Sequence, residues 1–225
     1  MTLFVSAIVP VFLIILYVYL KDKYEKEPKR ILLLNFALGA FVSVIITTIL
    51  YLLADAFLYP FNEPTLFEQF IKAFFIVALT EEFSKYVIVR FVAQTNKHFN
   101  EPFDGIMYAV MVSMGFAATE NIMYVMNGGL GVALFRAFTA VPAHATFAIL
   151  MGYFMGKAKF SKNRFRLNLT GLLLAIAFHG AYDFFLFIDF VPGIWIGAFV
   201  SLIVAVVLSH KAMKSHQKAS NFRPQ

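Results

Sequence analysis

Apolar residues fill long stretches of this chain, and polar residues gather in the short segments between them. Seven stretches are close to the ~20 residues that one bilayer crossing needs, so we predict an all-α, polytopic membrane helix bundle with about seven transmembrane helices. Each predicted span is a nearly continuous apolar run: 3–20, 31–53, 67–89, 104–126, 131–156, 168–188 and 192–209. Residues 1–210 are predicted to form one transmembrane domain, followed by a basic cytoplasmic tail at 211–225.

The composition supports a membrane protein. Hydrophobic residues make up 60% of the chain and the mean hydropathy is +0.76, whereas soluble domains contain roughly 45–50% apolar residues. The first apolar run ends in a Lys-rich stop without a small-residue cleavage site, so we expect a spanning helix rather than a cleaved signal peptide. The chain has no cysteine, which excludes disulfides, cysteine nucleophiles and thiolate metal sites.

Basic residues lie in alternate connections between the predicted spans. Sixteen of the 19 Lys and Arg residues fall in 21–30, 90–97, 157–166 and 211–223. Because basic connections stay in the cytoplasm, this pattern predicts an external N-terminus and a cytoplasmic C-terminus. The net charge of +6 is then expected to face anionic membrane lipid, and no nucleic-acid partner is predicted.

Several polar side chains lie inside the third to sixth spans, where an ionisable group is costly unless it faces a cavity and finds partners. These candidate site residues are Glu81, Glu82, Lys85, Glu120, Asn121, His144, His179 and Asp183. At ~1.5 Å per residue they lie in the central part of the bilayer, with two of them displaced toward the outer leaflet. We therefore predict a shared, water-accessible cavity.

Helical spacing predicts how these groups pair. Glu81 and Lys85 are four residues apart, whereas Glu82 is turned away by about 100°, so we expect Lys85 to pair with one glutamate and to leave the other free as a general base. Which glutamate is the base stays open at this point. His179 and Asp183 are also four residues apart, so the carboxylate is expected to orient the imidazole.

At these residues the sequence resembles the PrsW family of intramembrane proteases, within the larger superfamily of CAAX prenyl endopeptidases and bacteriocin-processing enzymes. The matching segments are E-E-F-S-K at 81–85, F-D-G-I-M-Y at 103–108, G-F-A-A-T-E-N at 115–121, P-A-H-A at 142–145 and H-G-A-Y-D at 179–183. They occur in the family's order and extend over essentially the whole chain. The resemblance implies a multi-pass protein of the bacterial cell membrane.

The resemblance also implies roles for individual residues. Glu81, Glu82 and His179 match residues required in the superfamily, and His144 and Glu120 match positions counted with its site. The superfamily commonly has an asparagine where this chain has Asp183, and an ionised Asp cannot donate a hydrogen bond to an oxyanion. We therefore expect Asp183 to support the site and not to bind the oxyanion. We expect the same supporting role for Lys85, Glu120 and Asn121.

These features together predict a peptidase that cleaves a membrane-anchored protein close to or within the bilayer. Glu81 or Glu82 would activate a water, and His144 and His179 would stabilise the oxyanion or protonate the leaving amine. No cofactor or metal is expected. The resemblance implies a single-pass substrate, an anti-sigma factor, whose extracytoplasmic side receives the first cut of a signalling cascade.

Two other interpretations remain open from the residues alone. Glu120, His144, His179 and a glutamate of the third span are competent zinc ligands, which would make the protein a metalloprotease, although no H-E-x-x-H motif is present. The same glutamates and histidines could also relay protons in a transporter. Against the transporter, the sequence has no internal repeat of the kind that many transporters have.

The charge pattern makes a testable prediction about topology. Reporter fusions should place 21–30, 157–166 and the C-terminal tail in the cytoplasm, and 127–130 outside, because Lys and Arg resist translocation. Cysteine-accessibility labelling measures this directly, since the natural chain has no cysteine. Labelling of both termini from the same side would contradict an odd number of spans.

Overall fold

The computed structural model describes residues 1–58 and 65–223, which form helices and no β-strand. Most of the predicted connection at 54–66, and the last two residues of the predicted tail, lie outside the described residues. We number seven helices in chain order: α1 (Thr2–Lys21), α2 (Lys29–Ala37, Leu38–Ser43 and Val44–Leu58), α3 (Leu66–Ile71, Lys72–Ala78, Leu79–Ile88 and Val89–Ala93), α4 (Pro102–Phe138), α5 (Ala140–Lys159), α6 (Arg164–Phe187) and α7 (Ile196–Ala219). The predicted all-α class is confirmed.

Two of these helices contain π-helical stretches. In α2 the stretch is Leu38–Ser43, and in α3 the stretches are Lys72–Ala78 and Val89–Ala93. The segment that carries Glu81, Glu82 and Lys85 is therefore an α-helix with a π-helical turn on either side. Such π-turns are rare and often occur at functional sites.

Within the described residues, five segments are long and apolar enough to cross a membrane, as expected of a multi-pass membrane protein. They are Thr2–Lys21, Lys29–Ala56, Pro102–Lys159, Arg164–Phe187 and Ile196–Ala219. α3 is not among them because charged residues interrupt its apolar sequence. The segment at 102–159 contains both α4 and α5, which fold back on each other. The count of seven crossings stays a prediction.

The chain reverses direction at Gly129, within the connection 127–130 between two predicted spans. Gly129 has a φ of +74°, a left-handed conformation that glycine adopts without steric cost. Beyond this point the chain, including the last part of α4 at 130–138, runs antiparallel to the part of α4 before Gly129. Two contacts show this: Arg136 donates to Asn121, and Ser113 donates to the backbone oxygen of His144. The first turns of the returning chain, 130–138, thereby lie against the part of α4 that precedes Gly129.

A second break separates 130–138 from α5. Thr139 has φ −124° and ψ −81°, values outside the helical region. The ring of Pro142 sterically conflicts with the carbonyl group four residues earlier, at Phe138, and this conflict explains the position of the break. The break at Thr139 therefore lies five residues before His144.

α4 is the central helix, and glycines bring α5 close to it. All side chains from 103 to 118 are buried. Gly152 and Gly156, four residues apart on one face of α5, pack directly on the start of α4. A Cβ on Gly152 would lie 2.3 Å from the oxygen of Gly105, and one on Gly156 would lie 2.1 Å from the oxygen of Pro102. Only glycine permits this backbone contact, which fixes the register between the two helices.

At the other end of the chain, α7 continues without interruption through residues 211–219, so most of the predicted basic tail is helical. His216 within it is buried, and its Nε2 lies 2.9 Å from the backbone oxygen of Tyr153 on α5. The end of α7 is therefore packed against the bundle.

Candidate active site

α3 carries two carboxylates and one ammonium in a single buried cluster. Glu81 is 5% exposed, Glu82 is fully buried and Lys85 is 1% exposed. The Nζ of Lys85 lies 2.7 Å from Oε1 of Glu82 and 3.3 Å from Oε2 of Glu81. The expectation that Lys85 pairs with one glutamate and leaves the other free is therefore wrong. Positions three and four residues away share one side of a helix, so the long lysine side chain reaches both.

His144 joins this cluster from α5. Its Nδ1 lies 3.3 Å from Nζ of Lys85, and its Nε2 lies 2.9 Å from Oε2 of Glu120 on α4. The two ring nitrogens therefore face a cation on one side and a carboxylate on the other. This imidazole connects the charged groups of α3 to those of α4.

His179 on α6 lies between two carboxylates. Its Nδ1 is 2.9 Å from Oε1 of Glu82, and its Nε2 is 3.2 Å from Oδ2 of Asp183. The ring stacks on Phe147, with 5.1 Å between centroids and 20° between planes. The predicted i, i+4 pairing with Asp183 is present in the structure, and Phe147 restricts the ring to one orientation.

Arg136 binds two of the predicted site residues, although the sequence analysis did not identify it. Its Nη2 donates to Oε2 of Glu120 at 2.8 Å, and its Nε donates to Oδ1 of Asn121 at 2.7 Å. Asn121 in turn donates to the backbone oxygen of Ala7 on α1, at 2.7 Å. The sequence does contain a signal for this role. Arg136 is the single Lys or Arg within the apolar run at 131–156, where an unpaired guanidinium would be costly.

Tyr51 on α2 is a second residue that the sequence analysis missed. Its hydroxyl donates to Oε1 of Glu81 at 2.9 Å. One and two turns earlier along the same helix, the hydroxyls of Thr47 and Ser43 lie 2.9 and 2.6 Å from the hydroxyl of Ser84 on α3. Tyr51 lies near the end of the apolar run at 31–53, where tyrosines commonly mark the membrane interface. Its position in the sequence therefore could not predict the contact with Glu81.

The structure brings all eight predicted site residues into one connected network. From α3 the contacts run through Lys85 to both glutamates, through Glu82 to His179 and Asp183, and through His144 to Glu120. The network then continues through Arg136 to Asn121. Its members come from α3, α4, α5 and α6, with Tyr51 added from α2.

A cavity of about 630 Å³ opens on one side of this network. Its polar lining includes Tyr51, Glu81, Glu120, Arg136, His144, His179 and Asp183. Glu82 and Lys85 do not line it, because they lie behind Glu81 in the packed bundle. Of the two adjacent glutamates, Glu81 is therefore the one that a molecule in the cavity can contact.

The cluster also contains a donor set that fits a metal ion. Glu81, Glu82, His144 and His179 each offer one ligand atom, and these four atoms lie within 4.8 Å of one another. Carboxylate oxygen and imidazole nitrogen are common zinc ligands. The Oε2 atom of Glu82 is buried and has no hydrogen-bond partner. The ammonium of Lys85 lies among these four donors and contacts Glu81, Glu82 and His144.

Comparisons with known proteins agree with the resemblance seen in the sequence motifs. Residues 27–217 match the family described as "PrsW family intramembrane metalloprotease". "Protease PrsW" of Oceanobacillus iheyensis is 40% identical over 182 residues, which cover 80% of this chain and 81% of that protein. The Geobacillus kaustophilus protein of the same name is 35% identical over 222 residues, covering 98% of this chain and 93% of the relative.

A third relative, "Protease PrsW" of Bacillus subtilis, is 35% identical over 183 residues, covering 80% of this chain and 81% of the relative. No solved structure matches the chain. The family match spans most of the sequence, from the connection after α1 to the end of α7, and includes every residue of the buried cluster. The chain therefore belongs to the PrsW family of intramembrane proteases.

Proposed function

We propose that this protein is an endopeptidase that hydrolyses a peptide bond of a membrane-anchored protein, close to or within the bilayer. The observation that carries the proposal is the convergence of Glu81, Glu82, His144 and His179 from three helices beside a cavity. Buried acids and imidazoles cost free energy inside a membrane protein, so they are rare there and usually mark a functional site. Membership of a protease family supports the same function.

In this proposal Glu81 is the general base. It is the only one of the two adjacent glutamates that lines the cavity, so it can accept a proton from a water molecule held there. The hydroxyl of Tyr51 and the ammonium of Lys85 each bind one of its oxygens, which fixes the orientation of the carboxylate. Each oxygen retains a further lone pair for the water.

Glu82 acts as a positioning residue in this proposal. One of its oxygens binds both Lys85 and His179, at 2.7 and 2.9 Å. It thereby holds the ammonium next to Glu81 and the imidazole next to the cavity. A catalytic group that is fixed in advance loses little entropy in the transition state.

The two histidines supply the acid and the oxyanion donor. His179 lies between Glu82 and Asp183, and an imidazolium there donates to both carboxylates while it carries a transferable proton. His144 faces Glu120, which Arg136 also binds. As the carbonyl oxygen becomes negative, an N–H directed at it stabilises the tetrahedral intermediate, and the proton then passes to the leaving amine.

The substrate class and the membrane orientation are part of the proposal. We expect seven crossings, an external N-terminus and a location in the bacterial cell membrane, as the charge pattern predicts. The substrate is then a single-pass membrane protein, such as an anti-sigma factor, cut on its extracytoplasmic side. The outward position of Glu120 and Asp183 along their helices supports that side.

A zinc-dependent peptidase is the second candidate. The four donors within 4.8 Å of one another, and the description of the matching family as metalloproteases, favour it. Glu81, Glu82, His144 and His179 would hold the ion, which when bound polarises the carbonyl group and lowers the pKa of its water. The ammonium of Lys85 within 3.3 Å of three of these residues argues for the first candidate.

The proposed activity can be tested on purified protein in liposomes that contain candidate single-pass substrates. We expect mass spectrometry to detect new peptide termini. Glu81→Gln should reduce kcat by about 10²–10⁴-fold, because glutamine keeps the shape but cannot accept the proton. Glu82→Gln should also reduce cleavage and should lower the unfolding temperature, since Lys85 loses its nearest counter-ion.

Glu68→Gln is the matched control for these variants. Glu68 lies on the same helix, outside the cluster, in a capping box that glutamine preserves. Its cleavage rate should stay within about twofold of the natural protein. Cleavage by Glu81→Gln at the natural rate would disprove its role as the base. Proton-driven solute flux without any cleavage would identify a transporter instead.

Chelation distinguishes the two peptidase mechanisms. If glutamate and histidine act directly, activity should survive prolonged treatment with a chelator selective for zinc over Ca²⁺ and Mg²⁺. The purified active protein should then contain well under one equivalent of zinc. Stoichiometric zinc whose removal abolishes cleavage, and whose return restores it, would establish the metalloprotease instead.

A further inference from the structure

A second group of buried carboxylates lies at the start of α4, away from the candidate active site. The connection between α1 and α2 contributes Asp22, Glu25 and Glu27, and the start of α4 contributes Glu101 and Asp104. Asp22, Glu27, Glu101 and Asp104 are each at most 2% exposed, and Glu25 is half-buried. Asp104 precedes Glu120 by 16 residues, or about 24 Å of helix, so this cluster is separate from the proposed catalytic residues.

Three of these acids face one another. Glu25, Glu27 and Asp104 each present one carboxylate oxygen, and the three oxygens lie within 4.8 Å of one another. In the part of the chain that the structure describes, none of the three forms an ion pair with a basic side chain. The nearby ammonium of Lys26 donates instead to the backbone oxygens of Tyr19 and Asp22.

The fold holds Glu27 and Asp104 by one oxygen each and leaves the other oxygen free. The hydroxyl of Tyr108 donates to Oε2 of Glu27. The amides of Asn100 and Glu101 donate to Oδ2 of Asp104, at 2.7 and 2.8 Å. The remaining oxygens, Oε1 of Glu27 and Oδ1 of Asp104, are buried and accept no hydrogen bond from any residue that the structure describes. Such buried, unpartnered oxygens are rare in native proteins.

Asp22 is a further buried carboxylate beside these three. It is 1% exposed, and among the described residues neither of its carboxylate oxygens has a hydrogen-bond partner. Burial and the charges of Glu101, Asp104 and Glu25 together raise its pKa to about 7, against the opposing effect of Lys26. The fold thus concentrates carboxylates here, and within the described residues none of them forms an ion pair with a basic side chain.

We propose that Glu25, Glu27 and Asp104 bind a hard divalent cation, Ca²⁺ or Mg²⁺, with Asp22 beside them. All the donors are oxygens, which these two ions prefer over nitrogen or sulfur ligands. Ca²⁺ binds oxygens at 2.3–2.6 Å, so two oxygens of one shell lie at most about 5 Å apart, as the three oxygens here do. The half-exposed Glu25 provides the entry route from the aqueous side.

The bound cation would connect the α1–α2 segment to the start of α4. Binding to the folded protein alone raises its stability by mass action. Through this connection the ion also helps to position α2, the helix whose Tyr51 contacts Glu81. The role is structural, since Asp104 lies about 24 Å along α4 from Glu120, the residue of this helix that contacts His144.

The test uses the purified full-length protein in detergent, after removal of divalent ions with EDTA. Addition of CaCl₂ or MgCl₂ should raise the unfolding temperature saturably, by about 5 °C or more, and calorimetry should detect one binding site per chain. KCl at matched ionic strength should have neither effect. If both divalent ions leave the unfolding temperature unchanged and give no saturable heat, the proposal is wrong.

Three substitutions assign the response to the cluster. Glu27→Gln and Asp104→Asn should abolish it while retaining the fold, because each amide keeps the acceptor that its neighbours bind. Glu25→Gln, at a half-exposed position, provides the same test if a buried variant does not fold. Asp189→Asn, on the exposed connection after α6, is the matched control and should respond fully. An unaltered cation response in all three cluster variants would overturn the proposal.

Discussion

The ammonium of Lys85 is the interaction on which the arrangement of this bundle depends. It lies among Glu81, Glu82 and His144, and all four groups are at least nine-tenths buried. Removal of one partner from a buried ion pair typically costs 3–5 kcal/mol, because a charge then remains without compensation. Helices α2, α5 and α6 must therefore approach α3 at this one level to provide the remaining hydrogen-bond partners.

Carboxylates outnumber the permanent cations in this network by two. The carboxylates belong to Glu81, Glu82, Glu120 and Asp183, and the cations belong to Lys85 and Arg136. Two further protons, on imidazoles or on carboxylates, therefore make the network neutral. Groups that share protons in this way are suited to general acid–base catalysis.

Contacts within one helix or one hairpin could be predicted from the sequence. The spacing of His179 and Asp183, the glycine face at Gly152 and Gly156, and the turn at Gly129 all follow from local geometry. Arg136 and Tyr51 could not be placed in the same way, because hydrophobic periodicity does not say which helices become neighbours. The double contact of Lys85 was missed for another reason: a flexible side chain covers more of a helix face than its Cα position suggests.

The π-helical turns on either side of the segment that carries Glu81 and Glu82 constrain the length of α3 as well as its composition. A π-turn contains one more residue than an α-turn, and each residue added to a helix rotates everything beyond it by about 100°. Loss of a single residue from Lys72–Ala78 would restore α-helical geometry there and turn Leu66–Ile71 to a different face, with Glu81 and Glu82 unchanged. In this helix an insertion or deletion is therefore a more severe genetic change than most substitutions.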